Sequence, residues 1–189
     1  MSMQPHAHAP VPGWHPAAAA LHADGAVELR RAMPGEVDAL HALIERHREE
    51  GHLLPRTRDD IAARIAQFIV AVQDEGVAGC AELVPLGPDV AEVRSLVVSG
   101  ARQGLGLGRM LVSALVEEAR RDEYAQLCAF THAPAFFVRL GFSIVPHLHV
   151  PEKVFADCVQ CPLFRACGQQ AVVLALDRPD RSRSPEAGW

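Results

Sequence analysis

A strand that runs into three alternately spaced glycines and then into a helix constrains this chain more than any other stretch. Residues 92–98 (Glu-Val-Arg-Ser-Leu-Val-Val) have the composition of a strand. Residues 99–109 (Ser-Gly-Ala-Arg-Gln-Gly-Leu-Gly-Leu-Gly-Arg) form a basic, glycine-dense turn. Residues 110–121 then carry Leu111, Leu115 and Ala119 on one stripe, with Met110, Val112 and Val116 beside it, the spacing of an amphipathic helix. Gly104, Gly106 and Gly108 remove Cβ atoms where the backbone must curl and a ligand must come close. A curled turn ahead of a helix aims several N–H groups at one point, and the helix dipole makes that point attractive to an anion such as a phosphate. No Gly-Lys-Ser/Thr follows, so this is not the phosphate loop of nucleoside-triphosphate enzymes. No βαβ unit with a downstream ribose-binding acid is evident, so it is not a dinucleotide fingerprint.

The rest of the chain supplies elements for one sheet around that turn. Residues 27–31 alternate as a first strand. Pro34 opens a helix whose stripe is Val37, Leu40, Leu43 and Ile44 and which ends near Gly51. Thr57 reads as the N-cap of a second helix, with Asp60 as its capping-box partner and Ile61, Ile65 and Phe68 on its core side. Residues 68–72, 77–84 and 91–98 read as three consecutive antiparallel strands, joined by turns at 73–76 and 85–89. Residues 127–131 form a short buried strand, 133–140 a short helix closed by Gly141, 142–145 another strand and 172–176 a last one. The fold class is therefore α/β (α+β), a central, mostly antiparallel sheet of about seven strands flanked by about four helices. Strict alternation puts Glu92, Arg94, Leu96 and Val98 on one face of the third strand. From 147 to 168 the pattern weakens into a cysteine-containing loop.

A chain of 189 residues has room for one domain, read as 26–177 between disordered tails at 1–25 and 178–189. A net charge of −5 does not suit a general nucleic-acid binder. No apolar run reaches the ~18–20 residues of a membrane helix, and no secretory signal is evident, so a cytoplasmic protein is expected. Five cysteines, two of them (Cys80 and Cys128) in strand-like apolar contexts, do not form a disulfide framework. Three thiolates, Cys158, Cys161 and Cys167, could close a tetrahedral zinc site with His147 or His149; the alternative is inert thiols near a loop. Arg56 and Arg58 flank a helix N-terminus, a good geometry for a carboxylate, or else are solvated surface side chains.

The glycine turn and a second stretch behind it resemble the GCN5-related N-acetyltransferase (GNAT) family. In that family a strand ends in Gln/Arg-x-x-Gly-x-Gly/Ala, and Gln103-Gly104-Leu105-Gly106-Leu107-Gly108 fits without a gap. Ala135-Phe136-Phe137-Val138-Arg139-Leu140-Gly141-Phe142 resembles the helix lining the acyl end of the family's site. The resemblance covers roughly 27–176. Within the family, residues 51–57, 79–83, 91–98 and 148–162 are similar to the short bacterial N-acetylglutamate synthases.

That resemblance implies transfer of acetyl from acetyl-CoA to the α-amine of L-glutamate, the first step of arginine biosynthesis, by direct attack in a ternary complex. It implies that Leu96, Val97 and Val98 pair with the pantetheine arm, that the N–H of Val98 or a neighbour polarises the thioester, and that Gln103, Gly104, Gly106, Gly108 and Arg109 hold the pyrophosphate, with Phe137 at the acyl end. Arg56, Arg58 and Arg94 are the cations for the acceptor's carboxylates. Glu92 is the base through a water, or else the ion-pair partner of Arg94. Phe136-Phe137 stands where many members carry a tyrosine as general acid, and the single tyrosine, Tyr124, lies elsewhere. The partners expected are small molecules, acetyl-CoA and L-glutamate, with no nucleic acid and no membrane, and with room for a homo-oligomer. Two other readings remain open: acetylation of glutamine, another small amine or a protein N-terminus, and a non-catalytic acyl-CoA-binding regulatory module.

Overall fold

The computed structural model describes residues 20–22, 25–49, 55–74 and 76–177. The expected C-terminal tail, most of the N-terminal one, and the segment 51–54 lie outside the described residues. The elements are β1 Ala20–His22, β2 Gly25–Arg31, α1 Val37–Glu49, α2 Arg58–Ala63, β3 Phe68–Gln73, β4 Gly76–Pro85, β5 Val90–Val98, α3 Leu107–Arg121, β6 Gln126–Thr131, α4 Pro134–Val138, β7 Ser143–Val145, α5 Pro151–Ala156 and β8 Gln170–Ala175. Two of these were not expected. Ala20–His22 pairs antiparallel with β2, so the sheet begins inside the stretch read as a tail. The other is α5, a six-residue helix in the segment read as loop.

All eight strands form one sheet in the order β1-β2-β3-β4-β5-β6-β8-β7. Every neighbouring pair is antiparallel except β5 with β6, which is parallel. That parallel seam is short. It pairs Val90, Ala91 and Glu92 with Gln126, Leu127 and Cys128, while β5 runs on to Val98. The second half of β5 therefore keeps β4 on one side and, among the described residues, has no partner strand on the other.

Helices cover both faces of the sheet. On one, Leu107, Leu111 and Leu115 of α3 are buried against Ile69, Ala71, Ala81, Leu83 and Val93. Each such leucine contributes roughly 1.5–3 kcal/mol by leaving water. On the other, Leu40, Leu43 and Ile44 of α1 and Ile61 of α2 pack on Phe68, Val70, Cys80 and Val97. The Glu36 carboxylate fixes the entry to α1: it accepts the Met33 N–H at 2.7 Å and pairs with the Arg30 guanidinium at 2.7 and 2.9 Å. At α2 the capping box is present, with the Thr57 hydroxyl accepting the Asp60 N–H at 3.1 Å.

The even alternation expected along β5 is broken in the middle. Ser95 has φ of 51°, in the left-handed region, and the β4–β5 register shifts between Cys80 and Glu82. An inserted residue flips every later side chain to the opposite face. Val97 accordingly joins the α1/α2 core, while Leu96 and Val98 pack on the α3 side. Leu96 and Val98 thus do not share a face with Glu92 and Arg94.

Candidate active site

The glycine turn forms as the spacing requires. Gly104 and Gly106 have φ of 83° and 82°, a conformation that costs an L side chain strain, and both stand exposed. Gly106 is the N-cap of α3, and the helix's first hydrogen bond runs from the Met110 N–H to the Gly106 carbonyl at 3.0 Å. The N–H groups of the first turn, Leu107, Gly108 and Arg109, therefore have no partner within the helix. The Gln103 side chain ties the turn back to β5 by donating to the Val98 carbonyl at 3.3 Å. Arg102 pairs with Asp74 of the β3–β4 turn at 2.6 Å, and Arg109 is exposed.

The aromatic pair is arranged differently from the expectation. Phe137 is buried in the α3-side core, in edge-on contact with Phe142. Phe136 is the ring that reaches the turn: its tip lies 3.3 Å from the position a Cβ on Gly108 would take, and Val98 Cγ2 lies 3.8 Å from the same point. Phe136 rather than Phe137 therefore faces the turn, because α4 turns its successive side chains about 100° apart and only one can face the core. Tyr124 lies past the C-terminal end of α3, at the opposite end of that helix from the glycine turn.

On the α1/α2 face a line of charges crosses the sheet. Glu92 is buried and held by Arg94 and by Lys153 of α5, the latter with Nζ 2.8 Å from Oε1. Arg94 also reaches Asp157 at 2.5 Å, and Lys153 reaches Asp157 at 2.7 Å. Burial pushes the Asp157 carboxyl up, but Lys153 and Arg94 outweigh it and hold the group below the usual carboxylate range. Further along, Glu82 of β4 sits opposite Arg94 in the ladder and is wholly buried. Its neighbours across the face are Arg56 at 3.2 Å and Arg64 at 3.5 Å. Arg56 also lines an open cleft of about 470 Å³ with His41, Glu45, Thr57, Arg58 and Asp59. Arg58, mostly exposed, pairs with Asp38 at 2.7 Å.

Residues 64–144 match the acetyltransferase (GNAT) domain family. An uncharacterized N-acetyltransferase of Chlorobaculum tepidum is 29% identical over 148 residues, 78% of this chain and 96% of its own length. The amino-acid acetyltransferase of Neisseria meningitidis serogroup A is 30% identical over 78% of this chain. The structure of the Neisseria gonorrhoeae N-acetylglutamate synthase, complexed with coenzyme A and N-acetyl-glutamate, superposes on 80% of this chain with a TM-score of 0.73 and 27% identity. Residues 64–144 of the chain carry a GNAT acetyltransferase domain. The chain is an acyltransferase, as the sequence implies, with the mixed α/β sheet expected of that family. The chain spans about a third of the length of the two Neisseria proteins, 33% and 35%.

Within this GNAT domain the expected residues fall into two groups. Leu96, Val97, Val98, Gln103, Gly104, Gly106, Gly108 and Arg109 gather at the open end of β5 and the turn. Arg56 and Arg58 gather at the cleft, and Arg94 lies between the two groups on β5. Three participants escaped sequence reasoning: Glu82, Lys153 and Asp157. The spacing of Lys153 and Asp157, four apart, is the i, i+4 signal of a helical ion pair that could have revealed them. Among the described residues no group of three or more His, Cys, Asp or Glu side chains could hold a metal, so the zinc reading of Cys158, Cys161 and Cys167 has no support. Cys80 and Cys128 are core residues, and burial pushes the Cys80 thiol up to about 12. Among the described residues no helix is long and apolar enough to cross a membrane.

Proposed function

We propose that this GNAT domain transfers acetyl from acetyl-CoA to the α-amine of L-glutamate, the reaction that opens arginine biosynthesis. The observation that supports the acceptor half is the pair of arginines at the cleft: Arg56 and Arg58 line it together with Glu45 and Asp59, and Arg56 connects it to the charged face beside the open half of β5. The four cations of that face, Arg56, Arg64, Arg94 and Lys153, exceed its three carboxylates, Glu82, Glu92 and Asp157, by one. A glutamate carries one net negative charge, so it neutralises the face when it binds.

On the donor side, the unpaired edge of β5 at Leu96, Val97 and Val98 accepts the pantetheine arm as an added strand. An N–H at or next to Val98 polarises the thioester carbonyl. The turn's N–H groups at Gly104, Gly106 and Gly108, with Gln103 and Arg109, take the pyrophosphate. Coenzyme A bridges the seam between β5 and α4, with Phe136 against its pantetheine end. No tyrosine is near, so the departing thiolate takes its proton from the reacting amine through water.

A second reading keeps the donor and changes the acceptor. Arg56 is already engaged with Glu82, which favours an amine bearing a single carboxylate, such as glutamine. Release of coenzyme A, measured across the amino acids and simple amines, separates the two. Glutamate giving the highest kcat/KM supports the first; glutamine or another monocarboxylate exceeding it establishes the second. Binding of acetyl-CoA without turnover on any amine defeats both.

A further inference from the structure

We infer that Glu82 is the proton acceptor for the acceptor's amine and that Arg56 uncovers it when the acceptor binds, an inference that rests on the acetyl-transfer reading above. Glu82 is a carboxylate with no accessible surface, set in the middle strand of the sheet. One of its oxygens, Oε2, has no hydrogen-bond partner among the described residues. Arg56 lies 3.2 Å from that oxygen as an ion pair but outside hydrogen-bond geometry, and its contact with Oε1 is long, at 3.5 Å. A buried, under-satisfied carboxylate is costly to a fold, and a donor group of a ligand that reached Oε2 would complete it.

Its position supports the assignment. Glu82 sits directly at the register shift, opposite Arg94 and two residue pairs nearer the open half of β5 than Glu92. Glu92 lies where β5 is still paired with β6, opposite Cys128. The oxygens of Glu92 are also occupied, by the Arg94 guanidinium and the Lys153 ammonium, whereas Glu82 Oε2 is not. The charged and titratable groups facing Glu82 are Arg56 ahead of α2, Arg64 behind it, Arg94 on β5 and the thiol of Cys80 on its own strand.

Arg56 joins the two sites, since the same guanidinium lines the cleft and covers Glu82. An acceptor carboxylate entering the cleft forms a full-strength pair with Arg56 and draws it off a partner it holds weakly. The acceptor's ammonium then meets Glu82 Oε2 and gives it one proton. The freed amine lone pair forms the N–C bond to the thioester carbonyl carbon. The C–S bond breaks with its electron pair on the coenzyme A sulfur, which takes the second amine proton. Glu82 returns its proton to water once the product leaves.

The test compares wild type, E82Q and E82D in steady-state acetylation from pH 5 to 9, alongside coenzyme A binding by calorimetry. Each variant is assayed with the acceptor that the wild type prefers, so a failure of glutamate as acceptor is seen in the wild type and is separate from a failure of Glu82. E82Q is expected to lose at least about a hundredfold in kcat/KM for the acceptor and to lose the low-pH limb of the profile. E82D is expected to keep that limb at a lower rate, and both should bind coenzyme A as wild type does. The inference is overturned if E82Q stays within about threefold of wild type with the same pH profile, or if both variants slow equally with the limb unmoved, the mark of a purely structural carboxylate. Should E82Q fail to fold, E82D decides: a retained limb that moves along the pH axis supports the inference, and a limb that stays at the wild-type pH or disappears overturns it. A wild type that acetylates no amine overturns the inference together with the reading beneath it.

Discussion

Lys153 is the side chain on which the charged face most depends. Its ammonium sits between Glu92 Oε1 at 2.8 Å and Asp157 Oδ2 at 2.7 Å, and it lies 5.7 Å from the Phe130 ring centroid. Lys153→Met keeps much of the stem's volume and removes the charge. It leaves buried Glu92 with Arg94 alone, and breaking a buried pair from one side costs about 3 kcal/mol. Urea denaturation of K153M, E92Q and the double variant should show a double-mutant loss smaller than the sum of the two singles; simple additivity would mean the pair is not coupled. Asp157 brings a pH dependence of known sign. Its carboxyl titrates lower in the folded protein than in the unfolded chain, so its contribution is complete above the unfolded value of about 4 and disappears as the pH falls through the folded one. Asp157→Asn should therefore be less stable than wild type at pH 7, with the gap closing below about pH 4. A gap independent of pH would show that the group does not titrate differently in the two states.

At the scale of elements, the junction of β4, β5 and α3 sets the open half of β5, and Gly79 is what lets the three meet. A Cβ there would lie 2.9 Å from the Val97 carbonyl oxygen and 3.2 Å from Leu111 Cδ1. The first of these is backbone and cannot step aside. Gly79→Ala should cost about 1–3 kcal/mol and weaken coenzyme A binding, because β5 moves at the edge proposed to pair with the arm. Unchanged calorimetric affinity would place the arm elsewhere. The strands and helices around this junction were legible because each carries its own period. Leu40, Leu43 and Ile44 mark α1, Leu111 and Leu115 mark α3, and Thr57 with Asp60 marks the start of α2. The glycine turn was legible for the same local reason, since Gly104 and Gly106 need their left-handed φ whatever surrounds them. The register shift was not. Ser95 is one small polar residue between Arg94 and Leu96, and nothing local distinguishes a bulge from regular alternation, which puts Leu96 and Val98 on the other face. Nor was α5 legible. Its six residues are too short to show a stripe, and what fixes it is the pairing of Lys153 with Glu92, 61 residues away in sequence. Glu82 reads in sequence as an ordinary alternating strand residue, and only the sheet brings Arg56 and Arg64 to it.

For the whole molecule, the consequence of this topology is a sheet held together by a narrow seam. Strands β1 to β5 make one side, and β6, β8 and β7 make the other. Across the seam run three residue pairs from Val90 to Glu92, and the ion pairs from Glu92 and Arg94 to α5. Beyond them the edge of β5 stays open, and in the proposed complex coenzyme A fills it, touching β5 and the glycine turn on one side and Phe136 of α4 on the other. A ligand that bonds to both sides replaces the missing ladder, and it stabilises the folded chain by about 2.7 kcal/mol at a hundred times its Kd. For a chain of this size that corresponds to a rise in Tm of roughly 5–10 °C. The local signature is more discriminating than the Tm. Hydrogen exchange should slow at the N–H groups of residues 96–98, in the turn at 103–109 and in α4, and should be little changed in β2 and β3, which are already paired on both edges. Protection confined to the turn would mean that the phosphates bind there without the arm entering the seam. Protection at the turn, the open edge and α4 together would show one ligand closing both sides of the sheet.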